Sequence, residues 1–269
     1  MAEKTLGVIG AGNMAEAILR GVIGSDLLAP EQIVVSEPLQ ERRDAICDLL
    51  GIECTAENAA TACCSHVLLA VKPQILDGVL EQIAAEVHPE AVVISIAAGY
   101  RTAKIDSKLG GRGKIIRVMP NTPMLVGAGI SALACGPRAD TEDMQWARDL
   151  FAACGRTVLL DEEKMDAVTA VSGSGPAYVF YLAEAMIAAG IANGLGPQAA
   201  SDLAIETVHG AAKLLQQTGE APETLRKRVT SPNGTTEAAI GELDKHNVAA
   251  DIVAAITAAA RRSKELGKA

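Results

Sequence analysis

The sequence predicts an α/β protein built in two parts: a doubly wound, mostly parallel β-sheet over residues 1–160, and an all-α part over residues 161–269. Three observations support this prediction. Short apolar runs alternate with segments of helical period in the first part. A glycine-rich turn follows the first of these runs. After residue 160 the strand-like runs stop, and only helical patterns follow.

The first part alternates strands with helices. Strands are expected at residues 5–10, 32–37, 66–71, 91–97, 114–119, 129–135 and 157–160. The segments between them carry apolar residues at helical spacing, and residues 141–154 should form the helix before the last strand. Strands joined by helices pair in parallel through right-handed crossovers, so these strands should form one doubly wound sheet.

The second part is expected to be helical throughout. Its helices should cover residues 161–171, 177–195, 197–217, 222–229 and 236–266, with stops at Gly190, Gly194, Gly196, Gly219 and Pro222. Apolar residues such as Val179, Leu182 and Met186 cover more than one stripe of these helices. Such helices must be buried on several sides, so we infer that a second subunit covers them and that this part is a dimerisation domain.

Charge and composition exclude several classes of protein. The formal net charge is −9 and only 2% of residues are aromatic, so the chain lacks the basic stripe and the stacking platforms that nucleic-acid binding needs. Neither a cationic leader nor a run of about 18 uncharged apolar residues is evident. We therefore expect a cytoplasmic protein that does not contact a membrane. The six cysteines lack paired spacing and clustered histidines, which favours reduced thiols and no metal site.

The segment "GVIGAGNMAEAI" (7–18) connects the first strand to the first helix. Gly10 and Gly12 allow a tight turn and a close approach of the backbone to a pyrophosphate, and Ala15 replaces the third glycine of this pattern. The start of the helix offers unpaired N–H groups to the anion. This setting is typical of a Rossmann-like dinucleotide-binding domain.

The end of the second strand gives a mixed signal about the cofactor. Ser36 followed by Arg42 and Arg43 would accommodate the 2′-phosphate of NADP, whereas Glu37 pointing inward would repel it. The arginines could equally lie in solvent on the first turn of a helix. The ends of the next strands should also face the cofactor, where Ala97 and Ala98 leave room for a nicotinamide.

Two clusters in the helical part are rich in helix breakers and hydroxyl groups. In "VTSPNGTTEAAI" (229–240) a turn precedes a helix, and a Ser or Thr should cap it beside free N–H groups that could bind a carboxylate. In "VTAVSGSGPAYVF" (168–180) residues 173–176 are expected to interrupt the helix, because a backbone or ligand approaches there. Thr169 would offer its hydroxyl one turn earlier.

Together with "AVKPQ" (70–74), "SIAAG" (95–99) and "RVMPNTP" (117–123), these three motifs resemble those of pyrroline-5-carboxylate reductases, in the same order over nearly the whole chain. The resemblance implies reduction of the C=N bond of 1-pyrroline-5-carboxylate to L-proline, the final step of proline biosynthesis. It also implies NADPH as cofactor, with NADH often tolerated, and homodimers that sometimes assemble into decamers.

The resemblance also implies roles for individual residues. Ser36 and Asn58 would lie near the adenosine ribose and its phosphate, Thr169 would hydrogen-bond the imine nitrogen, and Glu162 would lie near the substrate pocket. The pyrophosphate turn would comprise Ile9, Gly10, Ala11, Gly12, Asn13 and Met14, the ribose–nicotinamide side Ala70, Val71, Lys72 and Pro73, and the substrate carboxylate site Ser231, Asn233, Gly234, Thr235 and Thr236.

Three positions depart from the family pattern. Asn233 stands where glycine is expected, and asparagine tolerates a positive φ. Ala170 replaces a glycine beside Thr169, and Glu37 weakens the expectation of NADP. Two other functions remain open: a 3-hydroxyacid-type dehydrogenase, opposed by the lack of any lysine between Lys164 and Lys213, and a dinucleotide-sensing protein without turnover.

Overall fold

A computed structural model of the chain describes residues 4–267. The chain divides into two compact units. The first contains the residues up to 174 together with those from 259 onward, and the second contains residues 175–258. The domain boundary predicted after residue 160 stays a prediction.

The first unit is built on one eight-stranded sheet in the order β3-β2-β1-β4-β5-β6-β7-β8. The strands are β1 (Leu6–Ile9), β2 (Ile33–Ser36), β3 (Glu53–Thr55), β4 (His66–Leu69), β5 (Val92–Ser95), β6 (Lys114–Met119), β7 (Gly129–Cys135) and β8 (Gly155–Leu159). Every neighbouring pair is parallel except β6 and β7. The strand order reverses between β1 and β4, where a doubly wound sheet opens a crevice for ligands.

Helices cover both faces of this sheet and form the rest of the chain. They are α1 (Asn13–Gly24), α2 (Gln40–Leu50), α3 (Asn58–Ala62), α4 (Pro73–Ile83), α5 (Thr102–Lys108), α6 (Thr141–Ala152), α7 (Met165–Val168), α8 (Gly175–Ala192), α9 (Pro197–Thr218), α10 (Pro222–Arg228), α11 (Thr235–Lys245) and α12 (Val248–Leu266). Short 3₁₀ turns lie at Pro30–Gln32, Thr122–Val126 and Glu162–Lys164.

Two aliphatic clusters pack on opposite faces of the sheet. One surrounds α1 and α6, with Ile18, Leu150 and Phe151 fully enclosed, and the other lies under α4, with Leu76 and Leu80. Few aromatic side chains are needed, because branched aliphatic residues fill both layers. These layers hold the carboxyl ends of β1, β4 and β5 in fixed positions.

The second unit lacks such a core of its own. None of the residues of α8 is buried in the single chain, and Phe180 and Tyr181 are 62% and 75% exposed. Among the described residues, the helical stretch 162–192 is long and apolar enough to cross a membrane by length and composition. So many exposed large apolar side chains indicate that another molecule buries this surface.

The predicted fold class is confirmed, with four local corrections. Strand β3 was not predicted. The break in the α-helix begins earlier than predicted, because Thr169–Gly173 form a π-helical turn and Ser174 a bend, whereas residues 175 and 176 already belong to α8. Gly190 does not end α8 but lies inside it, where an added Cβ would come within 3.1 Å of Ala200 on α9. The single helix expected over 236–266 is two helices, because Asn247 adopts a left-handed φ of 55° between them.

Candidate active site

The glycine turn connects β1 to α1 as the motif predicts. Gly12 is the residue before α1, and no side chain caps the first N–H groups of the helix. Gly10 has a φ of 96°, and a Cβ there would lie 2.8 Å from the backbone oxygen of Ala70. Nothing lies within 4 Å of where a Cβ on Gly12 would stand. The turn therefore leaves open, above uncapped N–H groups, the space that a pyrophosphate would fill.

The backbone of Ala11 in this turn is held at both its N–H and its carbonyl. Its N–H donates to Oε2 of Glu37 at 3.0 Å, and its carbonyl accepts from Nε of Arg42. The same guanidinium pairs with Glu16 at 2.7 Å, and Glu16 also pairs with Arg20. Hydrogen bonds from Arg42 and Arg20 lower the pKa of the Glu16 carboxyl. The conformation of the turn thus depends on residues of α1 and α2 as well as on its glycines.

The two residues predicted at the adenosine ribose are hydrogen-bonded to each other. The Ser36 hydroxyl donates to Oδ1 of Asn58 at 2.8 Å and accepts from the Thr61 hydroxyl at 3.3 Å. Nδ2 of Asn58 donates to Gln82 at 2.8 Å. Ser36 is fully buried, whereas Asn58 is half-buried. Ser36 therefore orients Asn58, and Asn58 has the surface available for a ligand.

The predicted ribose–nicotinamide side lies beyond β4 and β5. Ala70 follows β4 and donates its N–H to the carbonyl of Ile9, which joins the two strand ends. Lys72 is the exposed residue before α4, with Pro73 in the first turn. Ala97 is buried and Ala98 half-buried in the loop after β5. Two helix N-termini and one lysine cation are thus grouped by the sheet at one edge, which favours an anionic ligand.

Thr169 begins the π-helical turn. Its hydroxyl donates to the carbonyl of Met165 at 2.9 Å, and its own carbonyl accepts from the N–H of Ser174, five residues on, at 2.8 Å. Because the hydrogen of this hydroxyl is used within the helix, its oxygen can only accept from a ligand. Gly173 lies close to β6, where a Cβ would come within 2.7 Å of Cε of Met119. Turns of this type are frequent at functional sites.

Glu162 lies in a buried polar cluster with Arg117 of β6 and Thr102 of α5. Its carboxylate accepts from the N–H and hydroxyl of Thr102 at 2.8 and 2.7 Å, and from Nη1 of Arg117 at 3.2 Å. Nη2 of Arg117 is buried without a hydrogen-bond partner. The carboxylate that the resemblance places near the substrate pocket is thus occupied by three donors of its own unit.

The loop before α11 differs from the prediction at its cap. Gly234, not Ser or Thr, precedes the helix, and no side chain caps its first N–H groups. Thr235 and Thr236 occupy the first two helical positions instead. Asn233 adopts a φ of 60°, as its tolerance of that region predicts, and its N–H donates to the Glu237 carboxylate at 2.7 Å. The free N–H groups and two hydroxyls remain suited to a small carboxylate.

Two further groups were missed from the sequence. Arg117 and Thr102 join Glu162 across 45 and 60 residues of chain. The one available signal was an arginine flanked by apolar residues inside the strand "KIIRVM", since a buried cation needs a carboxylate partner. No spacing in the sequence indicates which carboxylate it would be.

The glycine turn leads from a parallel strand into a helix with an uncapped N-terminus, and it lies beside the point where the strand order reverses. These two features define a dinucleotide-binding protein of the Rossmann type. Two family models match the chain. Residues 5–99 match the model described as NADP oxidoreductase coenzyme F420-dependent. Residues 162–266 match the model described as pyrroline-5-carboxylate reductase dimerisation.

Relatives match the chain over nearly its full length. It is 44% identical to a pyrroline-5-carboxylate reductase of Synechocystis sp., with 98% of each chain covered. A pyrroline-5-carboxylate reductase of Coxiella burnetii has a solved structure that superposes with a TM-score of 0.92 at 35% identity, with 100% of both chains covered. A pyrroline carboxylate reductase of Plasmodium falciparum with NADP bound superposes at 0.89 and 29% identity, with 99% of both covered. The chain belongs to the pyrroline-5-carboxylate reductase family.

The family expected from the motifs is therefore confirmed, as are the oxidoreductase class and the NADP-binding character of the first domain. The match to a dimerisation domain confirms that the helical part self-associates. The exposed apolar surface of α8 is part of this matched segment. The roles of single residues stay predictions.

Proposed function

We propose that this chain reduces the C=N bond of 1-pyrroline-5-carboxylate to give L-proline, with NADPH as the hydride donor and NADH tolerated, as the final step of proline biosynthesis. The observation that carries the proposal is the uncapped N-terminus of α1 behind Gly10 and Gly12, in a chain 44% identical to the Synechocystis enzyme. When bound, the cofactor supplies the hydride at its nicotinamide ring.

Residues of the turn and of the strand ends hold the cofactor. The N–H groups at the start of α1 bind the pyrophosphate, and Lys72 adds a positive charge at the start of α4. Asn58, oriented by Ser36, faces the adenosine ribose. Buried Ala97 and half-buried Ala98 leave space for the nicotinamide. Apart from Lys72, these groups are backbone amides or uncharged side chains, because the task is positioning.

Thr169 acts on the ring nitrogen of the substrate. Since its own hydrogen is donated to Met165, the hydroxyl oxygen accepts a hydrogen bond from the N–H of the protonated iminium. A protonated iminium is already an electrophile, so no general acid is needed for hydride addition. The new C–H bond leaves the electron pair of the C=N bond on nitrogen, and the amine takes a proton from water.

The 231–236 loop binds the substrate carboxylate. The N–H groups at the start of α11 and the hydroxyls of Ser231, Thr235 and Thr236 are the donors. Glu237 is the one acidic residue in the first turn, and its carboxylate is turned back onto the N–H of Asn233. The donors of Thr235 and Thr236 therefore remain available to an incoming carboxylate.

We also propose that the chain works in the cytoplasm as a homodimer that can assemble further into decamers. The helical stretch 162–192 lies entirely inside the dimerisation match, so its apolar surface is assigned to a partner subunit and not to a membrane. Light scattering of the purified protein, with and without detergent, tests this assignment.

A single steady-state assay tests the function. NADPH oxidation is followed at fixed enzyme on addition of 1-pyrroline-5-carboxylate, with NADH in parallel and a 3-hydroxyacid plus NAD as the control. Turnover of the imine, but not of the hydroxyacid, supports the proposal. Turnover with the hydroxyacid indicates a dehydrogenase, and binding of the cofactor without turnover of either compound indicates a sensor protein.

A further inference from the structure

Glu37 is placed where it can read the adenosine ribose of the cofactor. It follows β2 directly and is half-buried. Oε2 accepts from the N–H of Ala11 at 3.0 Å, and Oε1 accepts from the N–H of Leu39 at 3.1 Å. Both bonds come from backbone groups, so the carboxylate is held in one orientation against the phosphate-binding turn.

The carboxylate retains capacity for a ligand. Two carboxylate oxygens offer about four acceptor sites in all, and these bonds use one on each oxygen. A ribose 2′-hydroxyl can donate to a remaining site, and a hydrogen bond to a charged acceptor is among the stronger ones. A 2′-phosphate can only bring further negative charge and further acceptors to the same place.

The two nearby arginines do not cancel this charge equally. Arg42 is already paired with Glu16 at 2.7 Å and holds the carbonyl of Ala11. Arg43 donates from Nη1 to the carbonyls of Glu37 and Pro38, at 2.7 and 3.3 Å. Among these residues Arg43 is thus the cation without a carboxylate partner. It can attract a 2′-phosphate, while Glu37, fixed on the turn itself, opposes it.

We propose that Glu37 tunes the preference of this chain between the two nicotinamide cofactors, because it favours a free 2′-hydroxyl over a 2′-phosphate and so raises the use of NADH relative to that of NADPH. The inference rests on the proposed function, because it takes the adenosine ribose to lie beside Asn58. It assigns to one side chain the discrimination that the family fold leaves open.

The test measures binding at the adenosine end alone. Dissociation constants for ADP-ribose and for 2′-phospho-ADP-ribose are measured by titration calorimetry on the full chain, on Glu37→Gln and on Glu41→Gln. Glu41 is an exposed carboxylate in the first turn of α2, so its variant makes the same charge change four residues away. Glu37→Ser serves as a second variant if the glutamine variant does not fold.

We expect Glu37→Gln to shift the ratio of the two constants by about 10- to 100-fold in favour of the phosphorylated ligand, the effect of one hydrogen bond to a charged group. Glu41→Gln should shift it less than twofold. Equal weakening of both ligands by Glu37→Gln would mean that the carboxylate only holds the turn, and an equal shift in both variants would mean general charge repulsion; each overturns the inference. If the unmodified chain binds neither ligand, the proposed function fails first.

Discussion

Glu162→Ala should destabilise the first unit strongly, and the size follows from its contacts. The variant removes the partner of Arg117, whose side chain is only 4% exposed, and leaves a second buried donor group unpaired beside Nη2. Breaking a buried pair costs about 3–5 kcal/mol. We expect the lower end, about 3 kcal/mol, because the Glu162 side chain is 19% exposed and water partly screens the charge that remains.

The loss is measured by urea unfolding, followed by the fluorescence of Trp146. This residue is the single tryptophan and lies on α6, so its signal reports the first unit. With urea slopes of about 1–3 kcal/mol per molar, the midpoint should fall by roughly 1–3 M. Protein concentration is held constant because the chain self-associates. Glu163→Ala, an exposed neighbour, is the control and should change stability by less than about 0.5 kcal/mol.

A second substitution separates a lost ion pair from a lost side chain. Arg117→Met in the Glu162→Ala background removes the unpaired cation and fills its space, so it should restore at least about half of the loss. A loss below about 1 kcal/mol, or no restoration by methionine, would refute the reasoning. A raised KM for 1-pyrroline-5-carboxylate at unchanged stability would instead assign Glu162 to the substrate.

Three further predictions concern single side chains. Thr169→Ala should lower kcat/KM by about 10- to 100-fold, the effect of one positioning hydrogen bond, whereas Thr207→Ala, whose hydroxyl makes the same bond to a carbonyl four residues earlier, should not. Thr236→Val should raise KM for the imine substrate about 10-fold with NADPH affinity unchanged. Thr230→Val, outside the loop, is the control and should leave KM unchanged. A loss confined to NADPH binding would contradict the assignment of Thr236 to the substrate carboxylate. Burial lowers the pKa of His66 below its ordinary value of 6.5, so the unfolded chain binds more protons than the folded chain as pH falls through that value. The free energy of unfolding should therefore drop by at most about 1.4 kcal/mol per pH unit, measured in urea titrations. His66→Phe should reduce this dependence on pH.

The fold was predictable where the pattern is local. Seven of the eight strands carry apolar runs, and only β3, the three residues "ECT" with an exposed start, lacks one. Glycine-rich composition indicated a break at 173–176, but it does not show that the irregular turn starts at Thr169 and is closed by one bond from the Ser174 N–H to the Thr169 carbonyl. Nor does the presence of an asparagine such as Asn247 predict that this residue adopts a left-handed conformation between two helices.

The candidate site was predictable only as a set of backbone positions. The motifs located the glycine turn and the loop before α11, because both depend on residues close in sequence. The direction of Glu37, the pairing of Arg42 with Glu16, and the contact of Glu162 with Arg117 depend on long-range packing. A sequence gives the residue type at these positions, whereas the fold decides which group it meets.

The contacts of Glu37 and Arg42 with the backbone of Ala11 separate two roles that the sequence left open: holding the turn and binding a 2′-phosphate. Arg42 holds the carbonyl of Ala11 and pairs with Glu16, so its charge serves the turn and not a 2′-phosphate. Arg42→Ala should therefore raise the dissociation constants of NADPH and NADH by the same factor, about 10-fold for one lost charge-assisted hydrogen bond, in calorimetric titrations. Arg20→Ala is the matched control, because Arg20 pairs with the same Glu16 without reaching the turn, and its effect should stay below twofold. Weakening of NADPH alone by Arg42→Ala would instead place this guanidinium on the phosphate, and it would leave the conformation of the turn to Glu37 and the glycines.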